Sequence, residues 1–285
     1  MKNILPKSLL VWSVLLVLGL SLCFPAASML IGNSRPSDYS VAPKGPSRVP
    51  PVIHPMTLEE IREMIEREGY NYSVGETWVS KLSPEEMAVL LGYVPPPMDL
   101  SHLHPSPGLI EPTFTPTFDW RDYGIVTPPK DQGACGSCWC FAGVGEMESQ
   151  ILANLGPEYD LSEENVLSCN FIGQGCSGGN DITVVNFLTK YGASLETCAL
   201  YDATDGTPCK MTCTPVSKLR GWRIVGTGLC SEDPGLIDFV KDALLNYGPL
   251  WVTMDASDPA FSLYTSGVYE WWTPISPNHA VLLIG

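Results

Sequence analysis

The chain has 285 residues, which is enough for one large domain or two smaller ones, and 45% of them are apolar, which allows a sizeable core. Only 16% of the residues are charged, and 26 glycines and 26 prolines indicate many loops. With a net charge of -15, the chain would repel phosphate groups, so we expect no binding to nucleic acid.

The N-terminus has the pattern of a secretory signal peptide. Lys2 and Lys7 give it a basic start, an apolar run extends from Leu9 to Phe24, and small residues follow at a cleavage site. We therefore predict a signal peptide over residues 1–27. The alternative is a transmembrane anchor, but the strongly apolar core is shorter than the roughly 18 residues that a span needs. We expect a secreted or extracytoplasmic protein (in a eukaryote, this includes a lysosome- or vacuole-like compartment) with no stable membrane insertion after cleavage.

Two short helices are predicted next, after a tether rich in proline and serine. The first begins with a capping box at Thr57 and has a stop signal at Gly69. The second begins at Ser83, which is followed by a proline at the first helical position, and ends before Gly92. Helices this short have little core of their own. We therefore expect them to dock on the domain that follows, although an independent N-terminal binding module is the alternative.

A proline-rich stretch separates these helices from the rest of the chain. It runs from Tyr93 to Thr117, where repeated prolines exclude a helix and favour an extended backbone. The composition changes at Phe118, where the region that carries the cysteines begins. We therefore divide the chain into a docking segment over residues 28–115 and a main domain over residues 116–285.

The cysteine count predicts both disulfides and a free thiol. Signal cleavage would remove Cys23 and leave nine cysteines, all beyond residue 130, so at least one stays unpaired in an oxidising compartment. Cys138 is the candidate, because it opens a predicted apolar helix over residues 138–151. A helix N-terminus favours negative charge and so lowers the pKa of a thiol.

A reactive thiol also needs a base, and the histidines identify one by elimination. The chain has four histidines, and three of them, His54, His102 and His104, lie in the docking segment. His279 is the only histidine in the main domain, and it is followed by an apolar strand pattern. We therefore predict that His279 is the partner of Cys138.

Several motifs together resemble one protein family. The run Cys-Gly-Ser-Cys-Trp at 135–139 resembles the papain-like, cathepsin-type cysteine proteases of peptidase family C1. Asp-Trp-Arg at 119–121, Leu-Ser-Glu-Glu at 161–164 and Gly-Cys-Ser-Gly-Gly at 175–179 match further landmarks of that family. The resemblance covers residues 118–285 almost continuously. It implies an α+β fold with two lobes, one helical and one an antiparallel β-barrel.

The resemblance also implies roles for individual residues. Cys138 would be the nucleophile and His279 its acid-base partner, while the side-chain amide of Gln132 and the backbone N–H of Cys138 would form the oxyanion hole. The residues expected to bind substrate are Gly178 and Gly179, which would line the cleft, and Ala280, which would floor the main specificity pocket. The implied disulfides pair Cys135 with Cys176 and Cys169 with Cys209.

In functional terms, the resemblance implies a secreted cysteine endopeptidase that is made as a zymogen. Residues 28–115 would be its inhibitory pro-segment, and its substrates would be proteins or peptides. The main domain lacks the extra histidines of a carboxydipeptidase-type occluding loop, so endopeptidase activity is expected. We expect a monomer that needs neither a metal nor an organic cofactor.

The chain departs from the family pattern at its C-terminal end. It stops six residues after His279, before the Asn-Ser-Trp-Gly element whose asparagine orients the histidine in the family. Asn278 should not replace that asparagine, because neighbours on a strand point to opposite faces. We interpret the sequence as a fragment. The alternative is a catalytically impaired homologue that binds peptides or inhibitors.

A third interpretation is a thiol-disulfide oxidoreductase that uses Cys135 and Cys138 as a redox pair. It is disfavoured, because Cys135 has an implied partner and the oxidoreductase would leave Gln132 and His279 without a role. The family pattern gives no partner for Cys140, Cys198, Cys213 or Cys230, although Cys198 and Cys213 could pair.

Overall fold

The computed structural model describes residues 15–19, 56–97, 117–227, 234–270 and 277–285. The chain divides into two compact units. The larger is formed by Met1–Leu22, Lys81–Asp258 and Trp271–Gly285, and the smaller by Cys23–Ser80 and Pro259–Glu270. Within the described part of the chain, no helix is both long and apolar enough to cross a membrane.

The regular elements alternate between helices and short strands. The α-helices are α1 (Leu58–Glu68), α2 (Pro84–Leu90), α3 (Cys138–Leu155), α4 (Glu163–Cys169), α5 (Asp181–Lys190), α6 (Pro234–Tyr247) and α7 (Pro259–Ser262). The strands are β1 (Leu15–Gly19), β2 (Tyr72–Val74), β3 (Ala193–Ser194), β4 (Pro215–Ser217), β5 (Trp222–Thr227), β6 (Leu250–Met254), β7 (Tyr264–Gly267) and β8 (His279–Leu283). Two 3-10 segments cover Val79–Lys81 and Trp120–Tyr123.

The smaller unit is built on the predicted helix α1. The capping box forms in both directions, since the Thr57 side chain accepts from the Glu60 N–H and the Glu60 carboxylate accepts from the Thr57 N–H. The helix ends at Gly69, whose φ of 72° lies in the left-handed region that glycine tolerates. Its buried face, Ile61 and Met64, packs in the same cluster as β2, which pairs antiparallel with β7.

Helices α4 and α5 of the larger unit pack against α3, which is buried along most of its length. Gly143 lets α5 come close, because a side chain on Gly143 would overlap the Val184 side chain. Trp139, Val144 and Leu188 fill the core between these helices and are each fully buried. This packing fixes the N-terminal end of α3, where Cys138 lies.

A four-stranded sheet with the order β5-β1-β6-β8 carries the other half of the larger unit. The antiparallel pair β6–β8 has a continuous register from Leu250 opposite Leu283 to Met254 opposite His279. The fold is therefore α+β, as predicted. Among the described strands, β6 and β8 are antiparallel, whereas β1 lies parallel to both of its neighbours.

Strand β1 lies in the apolar run whose pattern predicts a signal peptide. Only residues 15–19 of the predicted signal peptide, residues 1–27, lie in the described part of the chain. Five apolar or small residues without a charge or a proline fit a strand as well as a signal-peptide core, so composition alone does not separate the two. The signal peptide stays a prediction.

Candidate active site

The candidate nucleophile Cys138 is the first residue of α3 and is only 1% exposed. The turn before it is held by the disulfide between Cys135 and Cys176 and by a 2.9 Å hydrogen bond from the Gly136 N–H to the Cys176 carbonyl. Ser137, the N-cap residue, makes no side-chain capping bond to this end of the helix. The thiol therefore lies where the helix dipole and the free N–H groups favour negative charge.

His279 reaches the same place from β8. The next residue, Ala280, donates its N–H to Cys138 Sγ at 3.5 Å, so the strand and the start of α3 are in direct contact. His279 is half-buried, and its Nδ1 atom has no hydrogen-bond partner among the described residues. The histidine and cysteine predicted from sequence are thus brought together by the fold.

The side-chain amide of Gln132 bonds to the loop before Cys138 and to the end of α2. The Nε2 atom donates to the Cys135 carbonyl at 2.8 Å and to the Leu90 carbonyl at 3.1 Å. The backbone of Gln132 is held by the Tyr201 hydroxyl, which donates to its carbonyl at 2.7 Å and lies 2.6 Å from Ser137 Oγ. Tyr201 therefore ties the Gln132 loop to the start of α3.

Sequence reasoning missed Tyr201. A single tyrosine in a loop, some 70 residues along the chain from the residues it holds, carries no local signal of this role. Its edge contact with Phe141, at a centroid distance of 4.9 Å, depends on tertiary packing in the same way.

The backbone that follows α2 runs through the site. Gly92 and Val94 bracket Gly179, since the Gly179 N–H donates to the Gly92 carbonyl and the Val94 N–H donates to the Gly179 carbonyl, both at 2.9 Å. Between Gly92 and Val94, the Tyr93 N–H donates at 3.0 Å to the carbonyl of Asn278, the residue that precedes His279. The segment Leu90–Val94 therefore passes beside Cys138, first as the last residue of α2 and then as an extended chain around Tyr93.

Glycines permit this close approach of backbones. A side chain on Gly92 would overlap the Gly136 carbonyl, and one on Gly178 would come within 2.8 Å of the Gly92 carbonyl. Gly178 also has a φ of 117°, which side chains rarely adopt. The glycine pair expected to line the cleft thus lies against an extended peptide, and Ala280, which is 3% exposed, shares a buried cluster with Tyr93.

Burial pushes both reactive groups toward their neutral forms in this state. It raises the pKa of the Cys138 thiol, although N–H groups of Ala280, Gly92 and Trp139 act in the opposite direction. It lowers the pKa of His279, against a smaller raising effect from the Leu90 backbone. A thiol and a neutral imidazole are therefore favoured over the thiolate-imidazolium pair while the peptide segment covers them.

The side chain of Asn278 points away from His279. Its Oδ1 atom accepts from the Ala256 N–H at 2.9 Å, and its Nδ2 atom donates to Asp255 and Ser257, each at 3.1 Å. This follows from strand alternation and agrees with the expectation that Asn278 does not orient the histidine.

The disulfides separate structural cysteines from free ones. Both implied bonds are present, Cys135–Cys176 and Cys169–Cys209, and so is the candidate bond Cys198–Cys213. Cys138 and Cys140 are free and buried, and Cys230 lies outside the described residues. Because Cys135 is bonded to Cys176, it does not form a redox pair with Cys138, which counts against the oxidoreductase.

The site has the parts of an enzyme with a cysteine nucleophile. These are a thiol at a helix N-terminus, a histidine on the adjacent strand and a glutamine amide that donates to a peptide carbonyl. Comparison with known proteins identifies the family within that class. Residues 114–285 match the family described as papain family cysteine protease. The chain belongs to this family.

Relatives and solved structures agree with this assignment. Procathepsin L of Mus musculus is 35% identical over 182 residues, which cover 59% of this chain and 49% of that protein. Digestive cysteine proteinase 1 of Homarus americanus is 31% identical over 235 residues, which cover 80% and 70%. The solved digestive procathepsin L2 proteinase from the larval midgut of Tenebrio molitor matches with a TM-score of 0.67 and 28% identity, over 80% of this chain and 73% of that one. The chain thus spans about half the length of some curated relatives that it matches.

Proposed function

We propose that this chain is the zymogen of a cysteine endopeptidase that hydrolyses peptide bonds in proteins or peptides. The observation that carries the proposal is the position of the Leu90 carbonyl. A peptide carbonyl accepts a hydrogen bond from the Gln132 amide while its segment lies over Cys138 and beside the backbone that precedes His279. A substrate carbonyl in that position would meet a nucleophile, an acid-base group and an oxyanion donor.

The proposed reaction has two halves, acylation of Cys138 by the substrate and hydrolysis of the resulting thioester, and these groups act in both. The Cys138 thiolate attacks the carbonyl carbon, and the Gln132 amide and the Cys138 N–H hold the oxyanion. Protonated His279 gives its proton to the leaving amine, which leaves a thioester on Cys138. His279 then takes a proton from water, which attacks the thioester and releases the acid.

The segment Leu90–Val94 serves as the inhibitory part of the pro-segment, residues 28–115. Two features support this role. It occupies the cleft through backbone hydrogen bonds on both sides of Tyr93, so that Cys138 has almost no exposed surface. Burial also raises the pKa of Cys138 and lowers that of His279 while the segment occupies the cleft, which disfavours the reactive ion pair. We expect removal of the pro-segment to expose the cleft and so to weaken this effect of burial.

Secretion is the matching proposal for location. A signal peptide over residues 1–27 would direct the chain into the secretory route. Three disulfides among the described residues support an oxidising compartment, because such bonds are rare where thiols are kept reduced.

The test is peptide hydrolysis by protein from which the pro-segment has been removed, with two cysteine variants two residues apart. Cys138→Ala should abolish hydrolysis of a fluorogenic peptide. Cys140→Ala should retain it, because Cys140 is fully buried and burial raises the pKa of its thiol well above the ordinary value. Hydrolysis that survives Cys138→Ala would contradict the mechanism. Protein that binds peptides without cleaving them would favour the impaired homologue.

A further inference from the structure

The side chain of Tyr93 fills a pocket in the cleft. It is only 6% exposed, and its ring lies 5.7 Å, centroid to centroid, from that of Trp251 on β6. It belongs to the same buried cluster as Trp139 and Ala280. Its backbone is held opposite Gly179, two residues before Asp181 at the start of α5. The extended segment therefore inserts one aromatic side chain between α3, α5 and the sheet.

Asp181 is an unsatisfied carboxylate beside this pocket. It is 1% exposed, and neither Oδ1 nor Oδ2 has a hydrogen-bond partner among the described residues. The described ion pairs do not include it either. It lies close enough to Tyr93 for its charge to raise the pKa of that phenol, second to the effect of burial, yet Tyr93 makes no hydrogen bond to it.

Helix capping does not account for this burial. An acidic residue in the first turn is favoured by the helix dipole, and the N–H groups of Asp181 and Ile182 do act to lower the pKa of the carboxyl. Burial outweighs them and raises that pKa to about 6. The N-cap position is already filled by Asn180, whose side chain accepts from the Thr183 N–H. An exposed aspartate in the first turn would interact equally well with the helix dipole. The burial of this carboxylate therefore needs another explanation.

We propose that Asp181 determines the specificity of the pocket that Tyr93 fills, and that after the pro-segment leaves, this pocket binds a lysine or arginine side chain of the substrate. A lysine or arginine side chain brings a positive charge and N–H donors, which tyrosine lacks. A buried carboxylate is unfavourable alone and favourable when it is paired and hydrogen-bonded. Trp251 and Ala280, which share the buried cluster of Tyr93, offer apolar surface to an aliphatic stem. This inference rests on the proposed function for its substrate, but not for the pocket itself.

The pro-segment serves as a tethered ligand in the test, so the full chain can be used and no hydrolysis is needed. Tyr93→Lys and Tyr93→Met are each made in the native chain and in an Asp181→Asn background. The rate at which iodoacetamide alkylates Cys138, mapped by mass spectrometry, reports how often the segment leaves the cleft. In the Tyr93→Lys variant, Cys138 should be alkylated at least about tenfold more slowly when Asp181 is present than in the Asp181→Asn background. A factor of this size matches the coupling energies of close charge pairs. Tyr93→Met should respond little to the same change of background.

The inference is overturned if the lysine and methionine variants respond equally to the loss of the Asp181 charge. Formation of the three disulfides and a cooperative thermal transition show whether each variant folds. If Asp181→Asn does not fold, Asp181→Ser provides a second background. Asp238→Asn, at an exposed position of α6, is the matched control and should leave all rates unchanged.

A peptide library separates this inference from the proposed function. With the pro-segment removed, kcat/KM should favour a basic side chain at one position near the cleaved bond, and Asp181→Asn should reduce that preference at least about tenfold. Cleavage without a basic preference would overturn the pocket inference and leave the endopeptidase intact. Conversely, the Tyr93→Lys variant could respond to Asp181→Asn in the alkylation assay while the trimmed protein cleaves no peptide. That result would contradict the proposed endopeptidase activity and support the pocket inference.

Discussion

At the scale of single residues, the oxyanion role of Gln132 makes a sharp prediction. Gln132→Ala removes the donor that lies 3.1 Å from the Leu90 carbonyl, so kcat for peptide hydrolysis should fall by roughly 10²–10³. Alkylation of Cys138 in the same trimmed protein should be nearly unchanged, because the thiolate does not depend on that amide. A fall in kcat of less than tenfold would remove Gln132 from the mechanism.

Lys130 is a second residue whose role depends on burial. Its ammonium group lies 2.8 Å from Glu148 Oε1 and 3.0 Å from Glu163 Oε1, and these carboxylate side chains are 1% and 2% exposed. It also donates to the Leu161 carbonyl at 2.7 Å. One cation thus joins the chain before Gln132 to α3 and α4.

Lys130→Met should lower the free energy of unfolding by about 3–5 kcal/mol, because two buried carboxylates lose their shared cation. Lys218→Met is the control, since Lys218 is exposed and its ammonium group donates to the Lys190 carbonyl rather than to a buried carboxylate. Denaturant unfolding of the full chain measures both. Equal, small losses for the two variants would show that the buried network contributes little.

At the scale of elements, the segment after α2 depends on a glycine. Gly92→Ala would place a methyl group onto the Gly136 carbonyl, so the segment could not stay seated in the cleft. We expect Cys138 in the full chain to be alkylated at least about tenfold faster. Gly75→Ala is the matched control within the pro-segment, because its methyl group would meet only Thr265 Cγ2 at an ordinary 3.4 Å. If both variants behave like the native chain, the seating of the segment does not depend on Gly92.

Elements with local signals could be predicted from sequence. The capping residues Thr57 and Ser83 mark the starts of α1 and α2, and Cys138 opens α3 as expected. His279 is identified by elimination rather than by a structural signal. The helix starts could be predicted because each depends on neighbours within a few residues. The role of His279, which depends on a count of residue types, stays a prediction.

The features that escape prediction depend on contacts between distant parts of the chain. Tyr201 bonds to residues more than 60 positions away, and Leu90 meets Gln132 across 42. Asp181 looks like an ordinary first-turn acid until burial is known. The strand β1 is not expected from sequence, because an apolar run fits a signal peptide and a strand equally well.

At the scale of the whole molecule, Asp181 should make the stability of the full chain depend on pH. Its pKa is raised from 3.8 to about 6 in the folded state, so the folded state binds more protons between those values. Below about pH 4 the carboxyl is protonated in both states and carries no penalty. The penalty for folding grows as the pH rises from 4 to 6 and levels off at about 3 kcal/mol above that. Asp181→Asn should remove this dependence. The difference between the two unfolding free energies, measured from pH 4 to pH 8, should grow with pH, and a constant difference would contradict the shift.

The central claim is that Cys138 is a nucleophile whose reactive form the pro-segment suppresses. The most direct measurement is the rate of Cys138 alkylation as a function of pH, before and after the pro-segment is removed. In the full chain, we predict slow alkylation that rises only above the ordinary thiol pKa of 9.0, because burial raises the pKa of Cys138. After removal, we predict fast alkylation with a plateau at about pH 5–7, which His279→Ala abolishes. The same slow, alkaline profile in both forms would contradict the claim.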